Sequence, residues 1–210
     1  MEELDLLKKS WQKSESTFEQ ISETEIYRML HTRSSSIVKW ILIISILEVV
    51  LWTSISVFFS TDDYLKKLKH EELIYYFKLF NFFNYVVILV FIYLFYKNYR
   101  TISTTASTKQ LMKDIMKTRK TVHCYVYYNL AMIVISLIVG FFLAFAYNPE
   151  VSVLKEKITT DFKMMIITFG ILGLIVVAIF GIFWLFYRLL YGILLRKLYN
   201  NYKELKKIDL

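Results

Sequence analysis

The sequence predicts an all-α fold: a polytopic membrane protein whose four transmembrane helices form a bundle with helical cytoplasmic extensions. Hydrophobic residues make up 56% of the chain, whereas soluble domains are about 45–50% apolar. The excess is concentrated in four blocks, and each approaches the roughly 20 apolar residues that a helix needs to cross a hydrocarbon core. Only five glycines and one proline occur, which favours long helices over turn-rich β structure.

The first block carries the most informative residue of the chain. It covers residues 37–59, and past Lys39 it contains a single charge, Glu48, near its middle. Its backbone polar groups must be paired within the segment, because lipid offers no partners, so a helix is predicted. The three further spans are predicted at residues 79–96, 122–147 and 164–187.

Lysine and arginine residues flank the spans unequally. The N-terminal arm, the connection between the second and third spans and the C-terminal segment hold 19 of the 26, and the other two connections hold seven. Because basic residues are enriched on the cytoplasmic side, both termini are predicted to be cytoplasmic. The basic flanks also account for the net charge of +8, so no nucleic-acid binding is predicted. The predicted parts are a cytoplasmic amphipathic arm (1–36), the transmembrane bundle (37–187) and a cytoplasmic helical extension (188–210).

The arm contains two predicted helices. Leu4, Leu7 and Trp11 follow a helical spacing among lysines, which predicts a short amphipathic helix that lies on the membrane or docks a partner. Ser22 and Glu25 have the spacing of a capping box and predict the start of a second helix. The three serines at residues 34–36 predict a bend or a polar stretch at the interface before the first span.

Within the first span, Ser45, Glu48, Trp52 and Ser56 are spaced so that they share one helix face. This face is expected to point toward the other helices, since a charged group facing lipid is costly. No lysine or arginine lies at a similar depth, so a neutral Glu48 is expected. The carboxyl either joins helices structurally or takes part in proton coupling or ligand contact. The candidate hydrogen-bond partners are the tyrosine hydroxyls, Asn84, Asn129 and Ser136.

The connections between spans are predicted to be partly helical. Residues 61–63 form an N-cap cluster before a helix over residues 64–78. Residues 101–108 form a polar turn, and a basic amphipathic helix over residues 109–120 then runs into the third span. Its basic side chains are predicted to contact anionic lipid headgroups, with an acidic partner protein as the alternative. These residues are Lys109, Lys113, Lys117, Arg119 and Lys120.

Small residues line one side of each of the last two spans, a pattern that permits close helix packing. We predict that these two spans pack tightly through them, or alternatively that they form a homodimer. The residues are Ser136, Gly140 and Ala144 in the third span and Gly170, Gly173 and Gly181 in the fourth. Past Tyr187 the helical pattern continues, and this extension is predicted either to pack against the helix before the third span or to dock a partner.

No pattern for catalysis, a metal or a cofactor is found. The three histidines are far apart in sequence, the single cysteine excludes an internal disulfide, and no nucleophile elbow, zinc-protease or nucleotide-binding motif occurs. No convincing internal repeat of the transporter type is found either. The sequence therefore predicts no enzyme, no metal site and no cofactor.

The segment over residues 25–48 (EIYRMLHTRSSSIVKWILIISILE), together with the opening EELDLLKKSW, resembles an uncharacterised family of small four-span proteins from Bacteroidota-type bacteria. The resemblance implies the architecture and an inner-membrane location, and no activity. We predict an interaction or regulatory subunit that docks a partner through cytoplasmic helices, within a homodimer or a larger membrane complex. The alternatives are an oligomeric transporter or channel component, or a binder of an apolar ligand such as a lipid or quinone, using Glu48.

Overall fold

A computed structural model of the chain describes residues 22–58 and 72–208, and these residues contain helices and no strand. A short 3₁₀ turn (Pro149–Val151) precedes the fourth helix, and a π-helical turn (Arg188–Gly192) joins the fifth helix to the sixth. The helices are α1 (Glu23–Phe58), α2 (Glu72–Thr104), α3 (Thr108–Tyr147), α4 (Ser152–Thr160), α5 (Phe162–Tyr187) and α6 (Ile193–Ile208). The amphipathic helix predicted before Ser22 and the cap cluster predicted at residues 61–63 lie outside the described residues.

Four helices are long and apolar enough to cross a membrane: α1, α2, α3 and α5 with its continuation into α6. The chain is therefore a multi-pass membrane protein, and the predicted all-α class is confirmed. The polar turn predicted between the second and third spans is narrower than expected, because only residues 105–107 leave the helical conformation. α3 ends at Tyr147, and the side chain of Asn148 accepts a hydrogen bond from the Glu150 backbone N–H at 3.0 Å, which caps the following 3₁₀ turn.

The start of α1 follows the predicted cap. The hydroxyl of Ser22 accepts a hydrogen bond from the Glu25 backbone N–H at 3.3 Å, which pairs one of the free donors of the first turn. The helix then runs unbroken through the three serines, so the bend considered there is absent. Ser34 is buried, and its hydroxyl accepts a hydrogen bond from the Asn201 side chain of α6 at 3.0 Å. The polar stretch of α1 therefore contributes to the packing of α1 against α6.

One half of the bundle is closely packed. It combines the first half of α1, the second half of α2, the first half of α3 and α6. Leu195, Leu198 and Leu205 of α6 are buried in this core, so the apolar stripe of the C-terminal extension is used for packing within the chain. The fully buried members of the core include Val38, Ile41, Phe95, Ile102, Leu111, Ile115, Val122, Leu198 and Leu205.

Polar side chains close the end of this packed half. The hydroxyl of Tyr27 donates to the Thr105 carbonyl at 3.0 Å, and Nε2 of His31 donates to the Ile102 carbonyl at 2.7 Å. These contacts satisfy backbone acceptors that the end of α2 leaves without an intrahelical partner. The buried Asp114 of α3 accepts from the Thr105 hydroxyl at 3.1 Å. The turn between α2 and α3 is thus fixed to both α1 and α3.

The other half of the bundle is open, and the glycines predicted to pack α3 against α5 make no close contact with a neighbouring helix in the described chain. A Cβ atom added at any of four glycines would meet nothing within 4 Å in the described part of the chain. Ser136 of α3 and Ile179 of α5 instead line a cavity that lies between helices. The homodimer alternative stays a prediction. The four glycines are Gly140, Gly170, Gly173 and Gly181.

Candidate functional site

Glu48 lies on the face of α1 that points into the bundle, at the boundary between the packed half and the open half. Its side chain is 5% exposed. Ser45, one turn earlier, is fully buried and donates to the Leu42 carbonyl of its own helix at 2.8 Å. Trp52 is half-buried, and Ser56 lines the cavity at the other end of the stripe. The predicted polar face is therefore directed inward along about three turns of helix.

Three tyrosine hydroxyls donate hydrogen bonds to the Glu48 carboxyl group. Tyr125 and Tyr191 donate to Oε2 at 2.9 Å and 3.0 Å, and Tyr187 donates to Oε1. Each of these tyrosines is at most 2% exposed. We call these four residues the tyrosine cage. Both carboxyl oxygens are thus satisfied by side chains that are far from Glu48 in sequence, and no water is required to solvate them.

The π-helical turn explains how Tyr187 and Tyr191, which are four residues apart, both reach the Glu48 carboxyl group. Phe183, Tyr187, Tyr191 and Leu195 are four residues apart, and all four contribute to the core or pack against it. In an α-helix a four-residue step turns about 400°, so successive steps drift by about 40° around the axis. The π-helical turn at Arg188–Gly192 contains more residues per turn, and it therefore compensates for this drift. Such turns occur frequently at functional sites.

Aromatic rings hold the cage in place. Tyr187 and Tyr191 stack with their ring centroids 6.1 Å apart, and Tyr125 meets Tyr191 edge-on at 5.8 Å. On its other side Tyr125 contacts Phe91 and Phe95 of α2 at 5.4 Å and 5.3 Å. Ring pairs at these separations add stability beyond the burial of their surface. The hydroxyls are therefore presented to the carboxyl group by packed rings from α3, α5 and the π turn.

A cavity of about 410 Å³ extends from the cage into the open half of the bundle. Glu48, Tyr125 and Tyr187 form one end, and Ser56 and Asn81 lie at the other. Because Ser56 lies eight positions after Glu48 in α1, the cavity is about 12 Å long along the helix. Its remaining lining residues are Val49, Trp52, Asn84, Tyr85, Ile88, Asn129, Met132, Ile133, Ser136, Leu137, Ile179 and Phe183.

Asn84, Asn129 and Ser136, the other predicted partners of Glu48, line this cavity without bonding to the carboxyl group. Asn84 accepts a hydrogen bond from the Tyr128 hydroxyl at 2.9 Å. Asn129 donates to the Tyr125 carbonyl at 2.9 Å. Both amides therefore use one of their polar atoms within the bundle. Trp52 and Phe183 lie together on the wall, with ring centroids 5.6 Å apart.

The sequence did not indicate which tyrosines would reach Glu48. The chain contains 16 tyrosines, and tyrosine hydroxyls were expected only as a class. The one usable signal is the pair Tyr187 and Tyr191, four residues apart at the end of the last apolar block. Tyr125 has no comparable signal, because its role depends on how α3 packs beside α1.

The basic residues predicted to contact anionic lipid divide into two groups. Lys109, Lys113, Lys117 and Lys120 are exposed along α3. Arg119 is half-buried, and its guanidinium lies over the Tyr199 ring of α6, 4.2 Å from the centroid. Its Nε is buried without a hydrogen-bond partner in the described part of the chain. Arg119 therefore joins α3 to α6 and is less accessible to lipid than the four lysines.

Comparison with known proteins gives a family and no precedent for function. Residues 24–210 match the model of a family described as a domain of unknown function, DUF8845. No curated protein and no solved structure matches the chain. The chemistry of the tyrosine cage and of its cavity is therefore the basis for assigning a role.

Proposed function

The chain belongs to the DUF8845 family, and we propose that it binds a small, largely apolar molecule with a polar group inside its membrane helix bundle. The observation that carries this proposal is the cavity of about 410 Å³ that ends at Glu48. Small-molecule sites are commonly cavities of about 300–1,000 Å³ with apolar walls and a few convergent polar groups. The walls contributed by α3 and α5 combine aliphatic and aromatic side chains, and the polar side chains of Glu48, Asn84 and Asn129 converge from α1, α2 and α3.

A purely structural role for Glu48 explains the cage and leaves the cavity unexplained. Protein interiors are close-packed, and the loss of contacts around a void lowers stability. The structural role would be served equally well by a bundle whose side chains filled this space. A ligand that occupies it would restore the missing contacts and pair the remaining polar atoms of Asn84 and Asn129.

Two tryptophan substitutions on adjacent positions of α3 test the proposal. Leu137 lines the cavity, whereas Ile138 is 57% exposed on the outside of the bundle. Leu137→Trp is expected to fill the cavity and displace a bound molecule, and Ile138→Trp adds the same ring to the outside. Native mass spectrometry of the protein released from its membranes should show a small-molecule adduct for the wild type and for Ile138→Trp. The adduct should be lost in Leu137→Trp.

Equal adducts on both variants would contradict binding in this cavity. The absence of an adduct from both the wild type and the Ile138→Trp control would also contradict the proposed binding. The control variant monitors whether a bulky ring on α3 disturbs the fold.

A second candidate function is the docking of an acidic partner, as expected of an interaction or regulatory subunit. It is favoured by a basic surface at the packed end of the bundle, where α3 and α6 lie side by side. The same surface would attract anionic lipid headgroups, by about 1 kcal/mol for each basic group near the membrane. The exposed basic residues are Lys109, Lys113, Lys117 and Lys120 of α3 and Arg196, Lys197, Lys203, Lys206 and Lys207 of α6.

We also propose that this basic end faces the cytoplasm, in an inner membrane. The support is the excess of lysine and arginine in the arm, the α2–α3 connection and the C-terminal segment. A reporter enzyme that is active only outside the cytoplasm should then be active when fused at Pro149. The same reporter fused within residues 105–107 should be inactive. The reverse pattern would overturn the proposed orientation.

A further inference from the structure

We infer that the molecule bound beside the tyrosine cage is a lipophilic organic cation, such as an apolar amine or a quaternary ammonium compound. This inference rests on the proposed function, because it assigns a ligand class to the same cavity. Three properties of the lining lead to it: the sign of its charge, the absence of a counter-ion and the number of aromatic rings.

The charge of the cavity has one sign. Among the described residues that line it, Glu48 is the single carboxylate and none is lysine, arginine or histidine. Interactions between charges are strong in a low-dielectric interior. An anionic ligand would therefore meet a carboxylate with no compensating cation nearby. A cation would be attracted to the Glu48 end of the cavity.

The tyrosine cage suits an ionised Glu48, although the sequence alone predicted a neutral one. Tyr125, Tyr187 and Tyr191 donate three hydrogen bonds to the two carboxyl oxygens, and hydrogen bonds to the charged form of a group stabilise that form. A buried charge nevertheless remains costly without a partner of opposite sign. A cation in the adjoining cavity would supply this partner.

Aromatic side chains supply a further attraction for a cation. Five of the described lining residues are aromatic: Trp52, Tyr85, Tyr125, Phe183 and Tyr187. The faces of such rings attract cations, and sites for quaternary ammonium groups are commonly built from several rings. The aliphatic residues along α3 favour a ligand whose charge is surrounded by apolar groups, since a small hydrated cation would lose its water there.

The test uses two ions of nearly equal size and shape and of opposite charge. Tetraphenylphosphonium and tetraphenylborate are added separately to the full chain in nanodiscs of zwitterionic lipid at mildly alkaline pH. Binding is measured by equilibrium dialysis relative to nanodiscs without protein. The proteins compared are the wild type, Glu48→Gln, Leu137→Trp and the control Ile138→Trp. The wild type and the control should bind the cation saturably.

The wild type should bind the cation at least tenfold more tightly than it binds the borate. The affinity for the cation should fall about tenfold or more in Glu48→Gln and in Leu137→Trp. Comparing the two ions on the wild type requires no substitution, so it stands even if Glu48→Gln disturbs the cage. Equal binding of both ions, or full binding by Glu48→Gln, would overturn the cation assignment and leave ligand binding intact. The cation assignment also fails if neither ion binds. In that case, the adduct experiment with Leu137→Trp decides separately whether the proposed function fails with it.

Discussion

Replacing Glu48 by leucine is expected to lower the free energy of unfolding of the bundle by about 3 kcal/mol. The substitution removes the acceptor of three buried tyrosine hydroxyls, and each unsatisfied buried polar group costs about 1–3 kcal/mol. Part of this cost is offset because the hydroxyls can bond to one another. The effect is measured by unfolding in mixed micelles with increasing denaturing detergent. Leu47→Val, at the neighbouring position that is 60% exposed, should change stability by less than about 0.5 kcal/mol.

A rescue variant separates the hydrogen bonds from the packing of the cage. Combining Glu48→Leu with phenylalanine at all three tyrosines should recover most of the lost stability, because replacing both partners of a buried polar contact by apolar groups is nearly neutral. The three additional substitutions are Tyr125→Phe, Tyr187→Phe and Tyr191→Phe. If Glu48→Leu were as stable as the wild type, the hydroxyls would not depend on the carboxyl group. The cage would then have no structural role.

The inward direction of the Glu48 side chain could be predicted because it depends only on the spacing of residues within α1. The spacing from Ser45 to Glu48, Trp52 and Ser56 places them on one face, and an apolar solvent forces that face inward. The identity of the partners depends on three other elements. Tyr125 and Tyr187 are 77 and 139 residues from Glu48 in sequence. No local pattern connects them, and the π turn that aligns Tyr187 with Tyr191 has no sequence signature comparable to a helix cap.

The glycine rows show why helix existence was easier to predict than helix pairing. A run of apolar residues must form a helix in lipid, whatever lies next to it. Lipid tails are as apolar as the side chains, so no hydrophobic driving force decides which faces of two helices meet. A row containing Gly140 or Gly173 permits close approach without requiring it. In the described chain, a Cβ atom added at the glycines of these rows would meet nothing within 4 Å.

The same reasoning predicts that stability is concentrated in the packed half of the bundle. Phe95 of α2 is fully buried in the core, next to Tyr125, whereas Phe82 of the same helix is 66% exposed in the open half. Phe82 makes much of its contact with lipid in the folded protein, and it keeps that contact when the helices separate within the membrane. Phe95 exchanges protein contacts for lipid contacts on unfolding, so only its packing contributes to the free energy difference.

Phe95→Ala is therefore expected to destabilise the bundle by about 3 kcal/mol, since it removes a large side chain from a site that is closely packed on all sides. Phe82→Ala, the matched control, should cost less than about 1 kcal/mol, because lipid fills the space that the ring leaves. Unfolding in mixed micelles measures both. Equal losses would mean that α2 contributes uniformly along its length, which would contradict the division into a packed and an open half. Phe95→Ala should also loosen Tyr125, so its cost should be smaller in a Glu48→Leu background, where the cage is already broken.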